Sequence, residues 1–154
     1  MTNPTIQMEF IGLVREEVEP LFYSHWSEVE FFKELPLDID WEMLQSMENN
    51  GSLYTFVARL DGKLVGYLIT SKTYHPNYKG KLFASDLGFF VDTNYRRYNI
   101  GSKLLSFAEK VFIEDGVVGF NITTKTDHPI DPLMIRKGFK QEEKVFTKIL
   151  YKEG

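Results

Sequence analysis

The sequence contains no cysteine. That excludes disulfides, thiolate metal sites and a cysteine nucleophile. No metal centre is expected. No apolar run reaches the roughly 18 residues needed to span a bilayer, so no membrane association is expected. The N-terminal stretch MTNPTIQMEF lacks a basic region and an apolar core, so no signal peptide is read. A cytoplasmic enzyme fits. Positive charge is not in excess: the formal net charge is −4 and the pI about 5.4. That argues against a dedicated nucleic-acid binder. Repeats, low-complexity segments and interdomain linkers are also missing. Residues 1–154 therefore read as one domain, long enough to bury a real core. The 43% apolar and 15% aromatic content suit a globular chain.

What charge there is falls unevenly. Residues 9–48 carry eleven acids and two bases, and residues 59–110 carry nine bases and four acids. Solvated helix faces would give such a split. So would an acidic half facing a cationic substrate and a basic half facing an anionic cofactor.

One stretch organises the rest, LGFFVDTNYRRYNIGSKLLSFA at 87–108. The apolar run Leu87 to Val91 reads as a buried strand. A polar linker follows, Asp92 to Tyr95. After it, Ile100, Leu104, Leu105, Ala108, Val111 and Phe112 fall on one helical face. A strand, tight turn and helix can hold an anion. First-turn amides have no intrahelical partner, and the helix dipole favours negative charge there. Gly101 falls inside that first turn, where the missing Cβ lets a ligand approach the backbone. Arg96 and Arg97 stand just before the helix, where no helix C-terminus needs them.

Elsewhere the chain reads in order. Glu9 to about Val14 suggests a short strand, and Glu16–Phe32 a helix with Pro20 early in it. On that helix His25 and Glu28 are three apart and share a face. Such a pair can bind or deprotonate an amine, or simply flank the buried Trp26. Asp40 caps a second helix, Trp41–Glu48, which Asn49-Asn50-Gly51 ends. Leu53–Leu60 and Lys63–Thr70 read as strands joined by Asp61-Gly62, a hairpin turn signal. Gly66 suggests a bulge or a close backbone neighbour. Lys72–Lys81, with His75-Pro76-Asn77-Tyr78, reads as a polar aromatic loop. Leu82–Val91 is the next strand. Asp86 within it either faces solvent or sits in a cleft at a raised pKa. The organising helix runs to about Asp115 and ends at Gly116. Val117–Thr124 reads as a strand, Asp127–Lys137 as a helix with Pro129 and Pro132 near its start, and Phe139–Tyr151 as a final strand or hairpin.

The loop Arg96-Arg97-Tyr98-Asn99-Ile100-Gly101 resembles motif A of the GNAT superfamily of N-acetyltransferases, Arg/Gln-x-x-Gly-x-Gly/Ala after a strand. Asn99 stands at the first glycine. Asparagine tolerates a left-handed backbone, so the loop shape is expected to survive with Asn99 at positive φ. Asp61-Gly62-x-Leu64-Val65-Gly66 resembles the family's central hairpin, and Gly138-Phe139 the pair after its last helix. The chain is similar in particular to small phage- and bacteria-encoded members that share His25-Trp26-Ser27-Glu28, His75-Pro76-Asn77-Tyr78 and Glu143…Lys148-Ile149-Leu150. The resemblance implies an α/β (α+β) fold. Its central sheet would be mixed, mostly antiparallel, of about six to seven strands, flanked by about four helices.

The resemblance also implies acetyl transfer from acetyl-CoA to a primary amine by direct attack. The loop Arg96, Arg97, Tyr98, Asn99, Ile100, Gly101 and Ser102 would hold the pyrophosphate. Phe90, Val91 and Asp92 would hold the pantetheine arm and thioester. A primary amine is almost fully protonated at neutral pH, so a base must act. Asp86, Glu28 and His25 are the candidates, Asp86 first. Glu28 and Asp86 are expected to face one cleft, with Glu28 attracting the acceptor. Carbonyl polarisation would come from a backbone amide at or near Val91. Met134 occupies the place of the family's usual acid tyrosine, which leaves Tyr78, Tyr98 or water as the acid. The acceptor is expected to be a cationic amine, a small molecule or a protein lysine or N-terminus, bound by a monomer or homodimer. A non-enzymatic acyl-CoA-binding or host-protein-binding module is the second reading.

Overall fold

In the computed structural model, which describes residues 3–29, 34–126 and 130–151, Asp61 and Gly62 both take positive φ, 52° and 81°. That twist suits a two-residue hairpin turn. It joins β2 (Leu53–Leu60) to β3 (Lys63–His75). Ala58 pairs with Gly66 and Arg59 with Leu64, so Val65 is the extra residue of a bulge. Gly66 also meets a close neighbour: a Cβ there would stand 3.1 Å from the Phe90 carbonyl oxygen.

Around this hairpin lies one sheet in the order β1-β2-β3-β4-β5. β1 is Thr5–Met8, β4 is Tyr78–Val91 and β5 is Val117–Asn121. The first four strands are antiparallel and β5 runs parallel to β4. Side chains alternate between faces. Phe56, Leu68 and Ala84 meet α3 (Ile100–Glu114) through Ile100, Leu104, Leu105, Ala108 and Phe112. Val57, Tyr67, Ile69 and Phe90 meet α1 (Ile11–Val29) through Ile11, Val14, Val18 and Leu21. α2 (Trp41–Asn49) lies against the α1 side, and the short α4 (Asp131–Arg136) places Met134 in the α3-side core. Helices on both faces explain why β2 and β3 are nearly continuous apolar runs. No helix among the described residues is long and apolar enough to cross a membrane.

Several boundaries differ from the sequence reading. The first strand is Thr5–Met8, and α1 begins at Ile11 rather than Glu16. The buried spacing Ile11, Val14, Val18, Leu21 already starts there, which leaves Pro20 in the helix interior. Residues 72–81 are not a loop. Lys72, Thr73 and Tyr74 pair with Ala84, Phe83 and Leu82, and the rings of His75, Tyr78 and Phe83 pack at 5.0–5.6 Å to close the hairpin. The helix expected from Asp127 is described from Asp131. Pro132 stands in its first turn, while residues 127–129 lie outside the described residues, as do 30–33, where the expected first helix was to end. The sheet has five strands among the described residues, not six or seven. Residues 139–151, expected as a final strand or hairpin, hold no regular structure, and from 140 on all but Ile149 stand exposed. A strand needs an edge to pair with, and pattern alone does not supply one.

Candidate active site

β4 and β5 begin as a parallel pair, with Val118 an extra residue between the Leu82–Val117 and Phe83–Gly119 pairs, and then part. Their ladder stops at Ser85 and Asn121. At the next position the Asp86 carboxylate accepts a hydrogen bond from the Thr123 amide, 2.8 Å away, in place of a backbone rung. Burial pushes the Asp86 pKa up, and the Thr123 amide opposes that rise. Leu87 is a second bulge, since Thr70 pairs with Asp86 and Ile69 with Gly88. From Gly88 to Val91 the strand pairs with β3 alone.

The other edge of this stretch pairs with no strand among the described residues and forms one side of the slot between β4 and β5. The Asp92 amide donates to Val65 O at 2.8 Å, so Asp92 faces β3. Backbone groups alternate along a strand. Val91 and Phe89 therefore point their amides into the slot. Val91 O confirms the direction, because it accepts from Arg96 Nε at 3.0 Å.

The slot leads to the start of α3. Asp92 caps a 3₁₀ turn, Thr93–Tyr98, by accepting from the Asn94 amide at 3.0 Å. Asn99 follows at φ 59°, ψ 30°, the left-handed conformation expected of it. Lys103 N is bonded to Asn99 O at 3.2 Å. The amides of Ile100, Gly101 and Ser102 precede it, and the Asn99 side chain does not cap them. They point outward at the positive end of the helix. The Ile100 side chain is fully buried, so only its amide is presented. At Gly101 a Cβ would lie 3.4 Å from Phe89 and Leu133, so this turn of α3 packs closely against β4 and α4.

On the α1 face, His25 stacks on Phe90 at 4.8 Å, and its Nδ1 lies 2.7 Å from the Tyr67 hydroxyl. Burial pushes the Tyr67 phenol far up, so it stays neutral. Glu28 grips Arg96 through both terminal nitrogens, at 2.9 and 3.0 Å. With Arg96 Nε on Val91 O, the guanidinium ties α1 to the slot and the loop. Arg97 donates to Asn94 O and to the Tyr98 hydroxyl and lies over the Tyr98 ring.

His25, Glu28, Phe90, Val91 and Arg96 are thus brought together, and Asp92 through Ser102 form the adjoining turn. Asp86 and Glu28 are not brought to one face. Asp86 pairs with Thr70, and Thr70 with Tyr54, which packs on the α3 side; Phe90 packs on the α1 side. Tyr78 is at the far end of β4, eight positions before Asp86, roughly 25 Å at the usual strand rise. Met134 is buried in the core. Tyr67 and the Thr123 amide were not legible as site groups. Tyr67 lies within an apolar run, and a backbone amide has no sequence signal.

This strand, slot and helix start coincide with a known family. Residues 14–139 match the acetyltransferase (GNAT) family model. The chain belongs to the GNAT family. A GNAT chain is an acyltransferase by that membership. A comparison with curated proteins returns no significant match. Among solved structures, it is similar to an aminoglycoside acetyltransferase from an uncultured soil metagenomic sample in complex with sisomicin. There the TM-score is 0.73 and the identity 22%, over 98% of this chain and 97% of that one. It is similar to the ribosomal-protein-alanine N-acetyltransferase of Brucella melitensis, with TM-score 0.78 and 15% identity over 97% and 99%. It is also similar to the aminoglycoside N-acetyltransferase AAC(6')-Iy in complex with CoA, with TM-score 0.74 and 18% identity over 99% and 96%. At these identities the likeness establishes the GNAT fold.

Proposed function

We propose that this GNAT protein transfers an acetyl group from acetyl-CoA to a primary amine of a cationic acceptor. The observation that carries the reading is the β4 edge opening at Asp86 and running into the uncapped first turn of α3. The residues fit the donor. Three outward amides, of Ile100, Gly101 and Ser102, suit a pyrophosphate. The slot-facing amides of Phe89 and Val91 suit the pantetheine arm and the thioester carbonyl.

Acetyl-CoA supplies a thioester whose C–S bond breaks as the C–N bond of the amide forms. Asp86 takes the proton of the acceptor ammonium through its second carboxylate oxygen, directly or by way of water. Its upward-shifted pKa makes it a stronger base than an ordinary carboxylate. Met134 cannot donate a proton, and Tyr78 is remote, so Tyr98 or water protonates the leaving thiolate. Arg96 and Glu28 act as positioning residues. They hold the loop and the strand end at fixed spacing through α1.

Relatives named for aminoglycosides and for a ribosomal-protein alanine suggest the acceptor panel. Thiol release from acetyl-CoA is to be measured with aminoglycosides, polyamines and peptide N-termini, beside a thermal shift with CoA. Stabilisation by CoA with amine-dependent thiol release supports the reading. CoA binding with no turnover on any amine replaces it with an acyl-CoA-binding module. With the accepted amine, Asp86→Asn is expected to lower kcat about 10²-fold or more and to remove the acidic limb of the pH profile. A wild-type rate across pH in that variant removes Asp86 as the base.

A further inference from the structure

Tyr67 carries a polar atom into an otherwise apolar core. The residue is 1% exposed and packs with Val18, Leu21, Ile69 and Phe90 on the α1 side. Its phenol keeps its proton, because burial raises its pKa. A buried O–H left without an acceptor is costly. Among the described residues the one hydrogen-bond partner of this hydroxyl is His25 Nδ1, at 2.7 Å. The hydroxyl therefore donates and Nδ1 accepts. The opposite arrangement, with Nδ1 donating to the Tyr67 oxygen, would strand the phenol proton in the core.

A neutral imidazole carries one proton. With Nδ1 accepting, that proton sits on Nε2. The ring is half-buried and stacks on Phe90 at 4.8 Å and 18°. Nδ1 faces Tyr67 in the core, so Nε2 is directed away from it, beside the strand end that borders the slot. Arg96 lies over the same Phe90 ring at 5.4 Å. A guanidinium donates and never accepts. The Glu28 carboxylate on the same helix is engaged by Arg96. Around Phe90 the site thus presents N–H donors, which suit an oxygen and not an ammonium.

We propose that Tyr67 is a positioning residue which fixes His25 as a hydrogen-bond donor at Nε2, and that His25 receives an oxygen set beside the amine of the acceptor. The acceptor then carries a hydroxyl or carbonyl close to its amine, and an alkyl polyamine is disfavoured. His25 is not the base, since its one lone pair is taken by Tyr67. The acceptor half of the proposal rests on the acetyl-transfer reading, and the donor half does not.

The chain has three histidines, so the ring-nitrogen resonances of His25 are assigned by their loss in His25→Phe, which keeps a ring on Phe90. At about pH 8, above the ordinary histidine pKa, the proton is expected on Nε2. A proton on Nδ1 overturns the proposal, because His25 would then offer a lone pair. Thiol release from acetyl-CoA is compared for ethanolamine and propylamine, which match in size and differ in the oxygen. The native chain is expected to favour ethanolamine about tenfold or more in kcat/KM. Tyr67→Phe and His25→Phe should each bring that ratio towards one by raising the KM for ethanolamine. A native ratio near one overturns the acceptor role. So does an equal fall in kcat for both amines in the variants, which would place the donor at the thioester. Turnover of no amine at all fails the acetyl-transfer reading and the acceptor role with it, while the position of the ring proton still decides the donor assignment.

Discussion

Asn99 turns the chain from the 3₁₀ turn into α3 at φ 59°. A β-branched residue resists that region, while glycine enters it without penalty. Asn99→Gly is therefore expected to keep CoA affinity. Asn99→Val should cost ~1–2 kcal/mol in denaturant unfolding and weaken CoA binding in a titration. Equal behaviour of the two variants would detach the turn from the site. Glu28 leads to a second expectation at this scale. Its carboxylate is engaged by Arg96, which in turn holds Val91 O. Glu28→Gln should raise the Kd for CoA several-fold and leave the acceptor KM nearly unchanged. The reverse split would place Glu28 at the acceptor instead.

Between elements, the main polar tie is Arg59. From β2 it reaches Glu9 at 2.8 and 2.9 Å and Glu17 on α1 at 2.7 and 2.8 Å. Its own pKa is raised by both partners. Arg59 holds both carboxyls below their ordinary value of 4.5. A depressed carboxyl stabilises the fold above that ordinary value and stops doing so as pH falls through the lower, folded value. The melting temperature should thus drop as pH falls below about 4.5. Arg59→Met should remove the part of that drop due to Glu9 and Glu17. It should also cost on the order of 1–3 kcal/mol at neutral pH, since it leaves two acids together. An unchanged acid dependence in the variant would show that the tie contributes little.

As a whole molecule the fold has two cores, one on each face of β2 and β3. Neighbouring positions such as Phe56 and Val57 serve opposite cores, so neither can melt while the shared strands persist. Leu104→Ala, in α3, should cost ~2–5 kcal/mol. Both tryptophans, Trp26 and Trp41, lie on the opposite side, in α1 and α2. Their fluorescence should nevertheless shift at the same denaturant midpoint as the far-ultraviolet dichroism. Two separate midpoints would mean that the faces unfold independently. The charge split also resolves at this scale. Glu9 and Glu17 meet Arg59, and Glu28 meets Arg96, so part of the acidic half is neutralised inside the fold by the basic half.

The sequence alone determined what depends on near neighbours. Asp61-Gly62 set a hairpin because its backbone twist is local. The spacing from Ile100 to Phe112 set α3 and its buried face. Asn99 set the left-handed turn, since few residues enter that region. The family loop placed the start of α3 against the end of β4. Only the tertiary structure decided which groups meet across the chain. Glu28 and Asp86 look equivalent in sequence as acids near a proposed cleft. Folding gives one to Arg96 on the α1 side and the other to the Thr123 amide at the parting of β4 and β5. Gly101 stands out in sequence only as a glycine at a helix start, and folding sets it beside Phe89 and Leu133. The tail has the pattern of a strand but no partner in its own chain as described. A strand's hydrogen bonds belong to two segments, and one segment's sequence specifies only its half.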